Sequence, residues 1–132
     1  MLARAFSCGE LAKLEVLFLS DNRIGDVGCT ALANAFTKGA LPQLTVLDLC
    51  ENKIGDVGAA SIAKALEVNA TVTSLDLSYN YLGPEGAKAI ASGIRDNSSL
   101  TAADVRFNNL DESAKQLLID AMKDRVSFNL SL

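Results

Sequence analysis

The amino-acid sequence repeats itself four times, at a spacing that few folds accommodate. Four segments align without gaps: LEVLFLSDNRIGDVG, LTVLDLCENKIGDVG, VTSLDLSYNYLGPEG and LTAADVRFNNLDESA. All four segments share an asparagine. These asparagines are Asn22, Asn52, Asn80 and Asn108, and they are separated by 30, 28 and 28 residues. Periods of roughly 20 to 50 residues indicate a solenoid, in which each unit buries its apolar face against its neighbours.

Each copy combines two periodicities. Leucines two residues apart, such as Leu47 and Leu49, indicate a short β-strand with one buried face. Apolar residues four apart with alanines between them, such as Ile62 and Leu66, indicate an amphipathic helix. Helices are therefore predicted to begin near residues 26, 56, 84 and 112, each preceded by an acceptable N-cap: Gly25, Gly55, Gly83 or Asp111.

Stacking these units predicts columns of equivalent side chains. Leu14 is expected to lie near Leu44, and Leu17 near Leu47, so that each column forms a continuous apolar ladder. The asparagine column has a different predicted role, because the chain must turn after each strand. An Asn amide carries donors and an acceptor, which can satisfy the backbone groups left without partners in that turn.

The segments LDLCENKIGDVGAASIAKAL and LDLSYNYLGPEGAKAIASGI resemble the ribonuclease-inhibitor-like subfamily of leucine-rich repeats. That subfamily includes the repeats of NOD-like receptors, the Ran GTPase-activating protein and the tropomodulin repeat domain. The resemblance implies an α/β leucine-rich repeat solenoid, a right-handed β-α superhelix shaped as a horseshoe arc with parallel concave strands and convex helices. Ala103 and Val105 stand where leucine is expected, and Glu112-Ser-Ala replaces the glycine-containing turn, which is typical of a terminal repeat.

The chain is expected to form a single leucine-rich repeat domain over residues 1–132. Its predicted parts are a half repeat at 1–13, four repeats at 14–43, 44–71, 72–99 and 100–125, and a C-terminal cap strand at 126–132. No strand precedes the one that follows Leu14, so the first sheet edge is expected to be open. The chain is then either a fragment of a longer array or an element that self-associates through this edge.

The composition argues against two kinds of binding partner, nucleic acid and the membrane interior. A net charge of −4 argues against nucleic acid, which requires a basic stripe, and no apolar run reaches membrane-spanning length. Without a signal peptide, the protein is expected to be cytoplasmic, with Cys8, Cys29 and Cys50 as free thiols.

Catalysis is not expected. The chain contains no histidine that could activate Cys50, and the Gly-Asp-Val-Gly turns lack the lysine of a phosphate-binding loop. No zinc spacing is present, and carboxylates on parallel strands are expected to project separately, so neither a metal nor another cofactor is predicted.

Side chains on the concave strand face form the predicted partner-binding surface. In its central column, the residues of the second, third and fourth strands are acidic, which favours Lys or Arg on the partner. At the edge of the face, Tyr79 and Phe107 provide two rigid aromatic contacts. An acidic column can equally be a solubility feature of the repeat. The predicted contacts are Phe18, Asp48, Cys50, Glu51, Asp76, Tyr79, Asp104, Arg106 and Phe107.

These patterns favour a protein–protein interaction module or scaffold, whose partner has a basic or mixed basic and apolar surface. Two alternatives remain open at the level of sequence. One is a regulator of a GTPase or another enzyme, which the resemblance permits. The other is an assembly element that uses the open N-terminal edge.

Overall fold

The computed structural model describes residues 11–132, in which five short strands alternate with four helices. Most of the predicted half repeat, together with Cys8, lies outside the described residues. The strands are β1 (Val16–Phe18), β2 (Val46–Asp48), β3 (Ser74–Asp76), β4 (Ala102–Asp104) and β5 (Asn129–Ser131). The helices are α1 (Gly25–Thr37), α2 (Asp56–Val68), α3 (Pro84–Asp96) and α4 (Glu112–Met122).

The strands form one parallel sheet in sequential order, β1 to β5. Equivalent residues of successive repeats lie opposite one another: Leu17 pairs with Leu47, and Leu47 pairs with Leu75. The helices pack side by side in the same order, which places one layer of helices behind one layer of strands. The α/β leucine-rich repeat solenoid predicted from the repeat is confirmed.

The core lies between these two layers and is almost entirely aliphatic. Leu49 and Leu77, which directly follow β2 and β3, are fully buried, as are Ile62 and Ile90 from the helices. Fully burying such a side chain stabilises the fold by roughly 1.5 to 3 kcal/mol. Leu17 in β1 and Leu19 just after it are only half-buried among the described residues, so burial increases from the first repeat to the second.

The asparagine column joins neighbouring repeats as predicted. Asn80 is buried; its Oδ1 accepts from the backbone N–H groups of Asn52 (3.0 Å) and Ile54 (2.9 Å), one repeat earlier. Its Nδ2 donates to three backbone carbonyl oxygens, including that of Leu49 at 2.9 Å. The turns after β1, β2 and β3 are each fixed in this way by an asparagine of the following repeat.

Gly55 and Gly83 are the N-cap residues of α2 and α3, as predicted, but the prediction is wrong for α1, whose N-cap is Ile24 and not Gly25. The carboxylate of Asp26 in α1 accepts from the backbone N–H groups of Gly55 (2.8 Å) and Gly58 (2.9 Å), at the start of α2. Asp56 makes the same pair of contacts, at 2.8 Å each, with the start of α3. Each of these helices is thus capped by the preceding repeat, because glycine has no side chain that could accept the bonds. The first helix begins at Gly25, one residue earlier than expected.

The last repeat uses a local cap instead. Pro84 stands where the earlier repeats have Asp26 and Asp56, so α3 offers no carboxylate to the next helix. The side chain of Asp111 accepts from the backbone N–H of Ala114 at 2.8 Å and caps α4 from within its own repeat. The sequence Asp111-Glu-Ser-Ala, which replaces the glycine-containing turn of the earlier repeats, therefore reflects a change of capping residue.

A second column of polar side chains, which was not predicted, lies just after the helices. Asn97 donates to the backbone carbonyl oxygens of Leu66 and Asn69, both at 2.8 Å. Twenty-eight residues later Arg125 takes the equivalent place and donates to the carbonyl oxygens of Ile94 and Leu100. Arg125 is thus the last member of this polar column and lies just before the last strand. Across residues 11–132, no helix has the length and apolar character needed to cross a membrane.

Candidate partner-binding surface

Three of the residues predicted to contact a partner are aspartates that form one row across the sheet, on the face away from the helices. Asp48, Asp76 and Asp104 lie in register on β2, β3 and β4. Each carboxylate accepts from the backbone N–H two residues further on, at 2.8 to 3.0 Å. These local bonds hold the three side chains in one orientation, so the row is a fixed feature of the sheet surface.

Asp104 differs from the other two because it already has a cationic partner. The guanidinium of Arg106 lies 2.7 Å from its Oδ2 and also donates through Nε. Partial burial raises the pKa of Asp104, but the hydrogen bonds and the charge of Arg106 outweigh that effect and hold the pKa below its ordinary value of 3.8. Of the predicted row, Asp48 and Asp76 remain without an ion-pair partner within residues 11–132.

The first strand continues this row with an apolar side chain. Phe18 pairs with Asp48 across the β1–β2 register and is 69% exposed. Val16, on the same face of β1, is also exposed. This face of the sheet therefore passes from apolar at β1 to anionic at β2 and β3, and to an internal ion pair at β4.

Tyr79 and Phe107 lie at the rim that follows the strands, and the structure brings them together. Their rings stack with centroids 4.1 Å apart and planes inclined by 16°, yet the residues stay 52% and 60% exposed. Both have left-handed backbone conformations, with φ of 53° and 57°. Glu51 occupies the same column with φ 57°. The pair thus forms a rigid apolar platform beside an acidic side chain.

Cys50 lies half-buried between the aspartates. Burial raises the pKa of its thiol, and the charges of Asp76, Asp48 and Glu51 raise it further, although a hydrogen bond with Ser78 acts in the opposite direction. The thiol is thus held in its protonated, weakly nucleophilic form. Ser78, which also follows its strand, is buried and donates to Asp76 at 2.6 Å.

One donor atom each from Asp48, Cys50 and Asp76 lies within 4.8 Å of the others. The two carboxylates therefore lie closer together than was expected for side chains that project separately from parallel strands. Two features oppose metal binding: the protonated thiol, and the backbone N–H bonds already accepted by both carboxylates. The chemistry that suits the arrangement best is attraction of a cationic side chain.

A groove beside the aromatic platform was not predicted. It has a volume of about 410 Å³ and is lined by Asp21, Asn22, Arg23, Glu51, Lys53, Tyr79 and Tyr81. The contacts predicted from the sequence extend only as far as the column of Glu51 and Tyr79. The groove could have been predicted from the next outward column of the repeat. This column lies two residues further along each repeat and contains Arg23, Lys53 and Tyr81.

Comparisons with known proteins agree with this architecture. A family model described as Leucine Rich repeat matches residues 10–33, 41–63 and 68–91, more than half of the chain. No curated protein matches significantly. Among solved structures, leiomodin-1 actin-binding site 2 superposes with a TM-score of 0.82, covering 98% of this chain and 75% of its own. The two sequences are 18% identical, so this similarity concerns the fold.

Proposed function

Because the chain belongs to the leucine-rich repeat family, we propose that it is a protein-binding module that holds its partner on the concave strand face. The observation that carries the proposal is the exposed stack of Tyr79 on Phe107 beside two carboxylates without cationic partners. Large rigid aromatic side chains dominate binding energy at protein interfaces. An exposed apolar platform of this kind indicates a recognition surface.

The proposed partner presents a basic side chain next to apolar ones. Its Lys or Arg would lie between Asp48 and Asp76, whose carboxylates have fixed orientations. Its apolar groups would cover Phe18 on one side and the aromatic platform on the other. Asp104 contributes less to recognition, because a partner would first have to displace Arg106. Charge and apolar contact thus act on adjacent parts of one surface.

Affinity of the isolated module is expected to be modest. Each described strand contributes three residues, so the concave face is small. A standard protein interface buries about 800 Å² on each partner. A surface below this size binds tightly only when its anchors are well ordered, which is the role assigned here to the Tyr79–Phe107 stack.

The similarity in fold to leiomodin-1 actin-binding site 2 makes actin the first protein to test as a partner. We also assign the repeats to the ribonuclease-inhibitor-like subfamily, on the basis of their 28-residue spacing and of helices of 13 residues. A reducing, cytoplasmic setting is proposed from the two described cysteines, Cys29 and Cys50, which are free thiols.

The proposal is tested by selecting displayed random peptides on the immobilised chain and measuring affinities by fluorescence anisotropy. Selected peptides are expected to combine Lys or Arg with an apolar residue. Phe107→Ala should weaken them about tenfold, equivalent to 1.4 kcal/mol. The double variant Asp48→Asn/Asp76→Asn should weaken them and reduce the salt dependence.

Asp120→Asn, an exposed carboxylate on α4, is the matched control and should leave affinity unchanged. Arg106→Gln provides a second arm, because it frees a third carboxylate and should strengthen binding of the basic peptides. Purified actin filaments are tested with the same variants by co-sedimentation. Peptides without the basic and apolar combination, or equal binding by all variants, would contradict the proposed surface.

A further inference from the structure

The groove at the rim of the sheet carries two opposed kinds of charge. Asp21 and Glu51 supply carboxylates in one column, and Arg23 and Lys53 supply cations in the next. All four side chains are exposed, and none of them makes an ion pair within the described chain. Their charges are therefore available to a ligand.

Two tyrosines lie at the other end of this groove. Tyr79 and Tyr81 belong to the third repeat, where they take the places that Glu51 and Lys53 hold in the second. Both are more than half exposed. The groove thus passes from a charged part to an aromatic part along the direction in which the repeats stack.

The backbone beneath the groove is held from both sides. The N–H groups of Asp21 and Glu51 each donate to a carbonyl oxygen of the next repeat at 3.0 Å, and Tyr81 donates back to Ile54 at 2.7 Å. Asn80 fixes the turn between them through its buried amide. A preformed site costs little ordering on binding, and a volume of about 410 Å³ falls within the range of ligand sites, roughly 300 to 1,000 Å³.

We propose that this groove binds an extended segment of a partner protein that carries charges of both signs and ends in an aromatic residue. Side chains of an extended chain alternate between opposite sides. Basic side chains of the segment would then face Asp21 and Glu51, while acidic ones face Arg23 and Lys53. The terminal aromatic group would lie on the two tyrosines. This groove recognises a different chemistry from the concave face, because a uniformly basic segment is repelled by its own cationic column.

The probes are three synthetic peptides of equal length, each with a tryptophan at both ends: one of alternating Lys and Glu, one of Lys alone and one of Glu alone. The chain contains no tryptophan, so peptide fluorescence reports binding directly. The alternating peptide should bind at least tenfold more tightly than either of the others. In ¹H–¹⁵N spectra its shifts should fall on residues 21–23, 51–53 and 79–81.

Tyr81→Ala should weaken the alternating peptide several-fold. The double variant Arg23→Glu/Lys53→Glu should change the preference to the Lys peptide, a gain that a misfolded protein cannot produce. Lys64→Glu, an exposed position on α2, is the control and should change nothing. Equal binding of the three peptides, or an unchanged preference after the charge reversal, would overturn the proposal.

The concave-face variant Asp48→Asn/Asp76→Asn separates this site from the proposed function. It should leave the alternating peptide unaffected, because neither side chain lines the groove. Shifts confined to the strands would instead assign the peptide to the concave face and exclude the groove as its site.

Discussion

Gly86 lies against the carboxylate of Asp56, and the two residues belong to successive repeats. The Oδ1 atom of Asp56 accepts from the Gly86 N–H at 2.8 Å, and a Cβ at Gly86 would lie 2.6 Å from that oxygen. The close approach therefore requires glycine. In the next repeat the corresponding pair is Pro84 and Ala114, in which both the carboxylate and the glycine are absent.

This relationship predicts strong coupling between two substitutions. Asp56→Ala should lower the free energy of unfolding by about 1 to 2 kcal/mol, because two N–H groups of α3 lose their acceptor. Gly86→Ala should lower it by about 1 to 3 kcal/mol through overpacking. In the Asp56→Ala background the glycine replacement should cost clearly less, since the clashing oxygen is gone.

Urea denaturation of the two single variants and the double variant measures this coupling. A coupling energy of about 0.5 to 3 kcal/mol is expected for residues in direct contact. Asp96→Ala, an exposed aspartate at the end of α3, is the matched control for the loss of charge. Strict additivity of the two substitutions would show that the contact does not stabilise the protein.

The asparagine column predicts unequal costs for the same substitution. Asn80→Ala removes five hydrogen bonds at a buried position and should lower the free energy of unfolding by at least about 2 kcal/mol. Asn22→Ala removes two local bonds at an exposed position and should cost under about 1 kcal/mol. Thermal unfolding of both variants checks the difference, and equal costs would contradict the bridging role of Asn80.

Arg125 is predicted to hold the final strand in place. Its guanidinium donates to the backbone carbonyl oxygens of Ile94, in the preceding repeat, and Leu100, and it lies 5.7 Å from the ring centre of Phe128. Arg125→Met keeps most of the apolar volume but leaves those acceptors unpaired, at a cost of about 1 to 3 kcal/mol. Hydrogen exchange of the amides in Asn129–Ser131 should accelerate. Lys123→Met, which is exposed, should leave that exchange unchanged.

Cys29 predicts a loss of stability at alkaline pH. Burial, with a smaller contribution from Asp26, raises the pKa of its thiol from 9.0 to about 12. The unfolded chain releases this proton near pH 9 while the folded chain retains it, so the free energy of unfolding decreases between pH 9 and pH 12. The decrease attributable to this group approaches about 1.4 kcal/mol per pH unit.

Urea denaturation from pH 8 to pH 11 tests this by comparing the wild-type protein with Cys29→Ala. The stability advantage of the wild-type protein over the variant should shrink as the pH rises above 9. Other titrating groups are common to both proteins and cancel in the difference. Two curves that stay parallel over this range would contradict burial of a protonated thiol at this position.

The fold was predictable because its determinants are local and periodic. Leucines two apart define each strand, and the spacing of Asn22, Asn52, Asn80 and Asn108 fixes the register between strands. Helix starts were predicted to within one residue for the same reason. A parallel sheet of identical units leaves little freedom once the period is known.

The asparagine contacts between repeats were predicted, but the helix caps that one repeat supplies to the next were not predictable from a single repeat. Asp26 and Asp56 cap helices about thirty residues away, and a turn sequence examined by itself does not reveal that partner. Aligning the repeats does reveal the contact, because the aspartate and the glycine that it contacts in the next repeat are replaced together, by Pro84 and Ala114. The Arg106–Asp104 ion pair was missed because it depends on a side-chain rotamer.

The cross-repeat caps determine where this array can grow. Segment 44–71 receives its cap from Asp26 and supplies one through Asp56, so a duplicated copy inserted after residue 71 would find the same contacts on both sides. The next boundary lacks this exchange, because Pro84 offers no carboxylate and Asp111 already serves its own helix. Tandem duplication is therefore compatible with the first boundaries, whereas the final repeat is committed to its position.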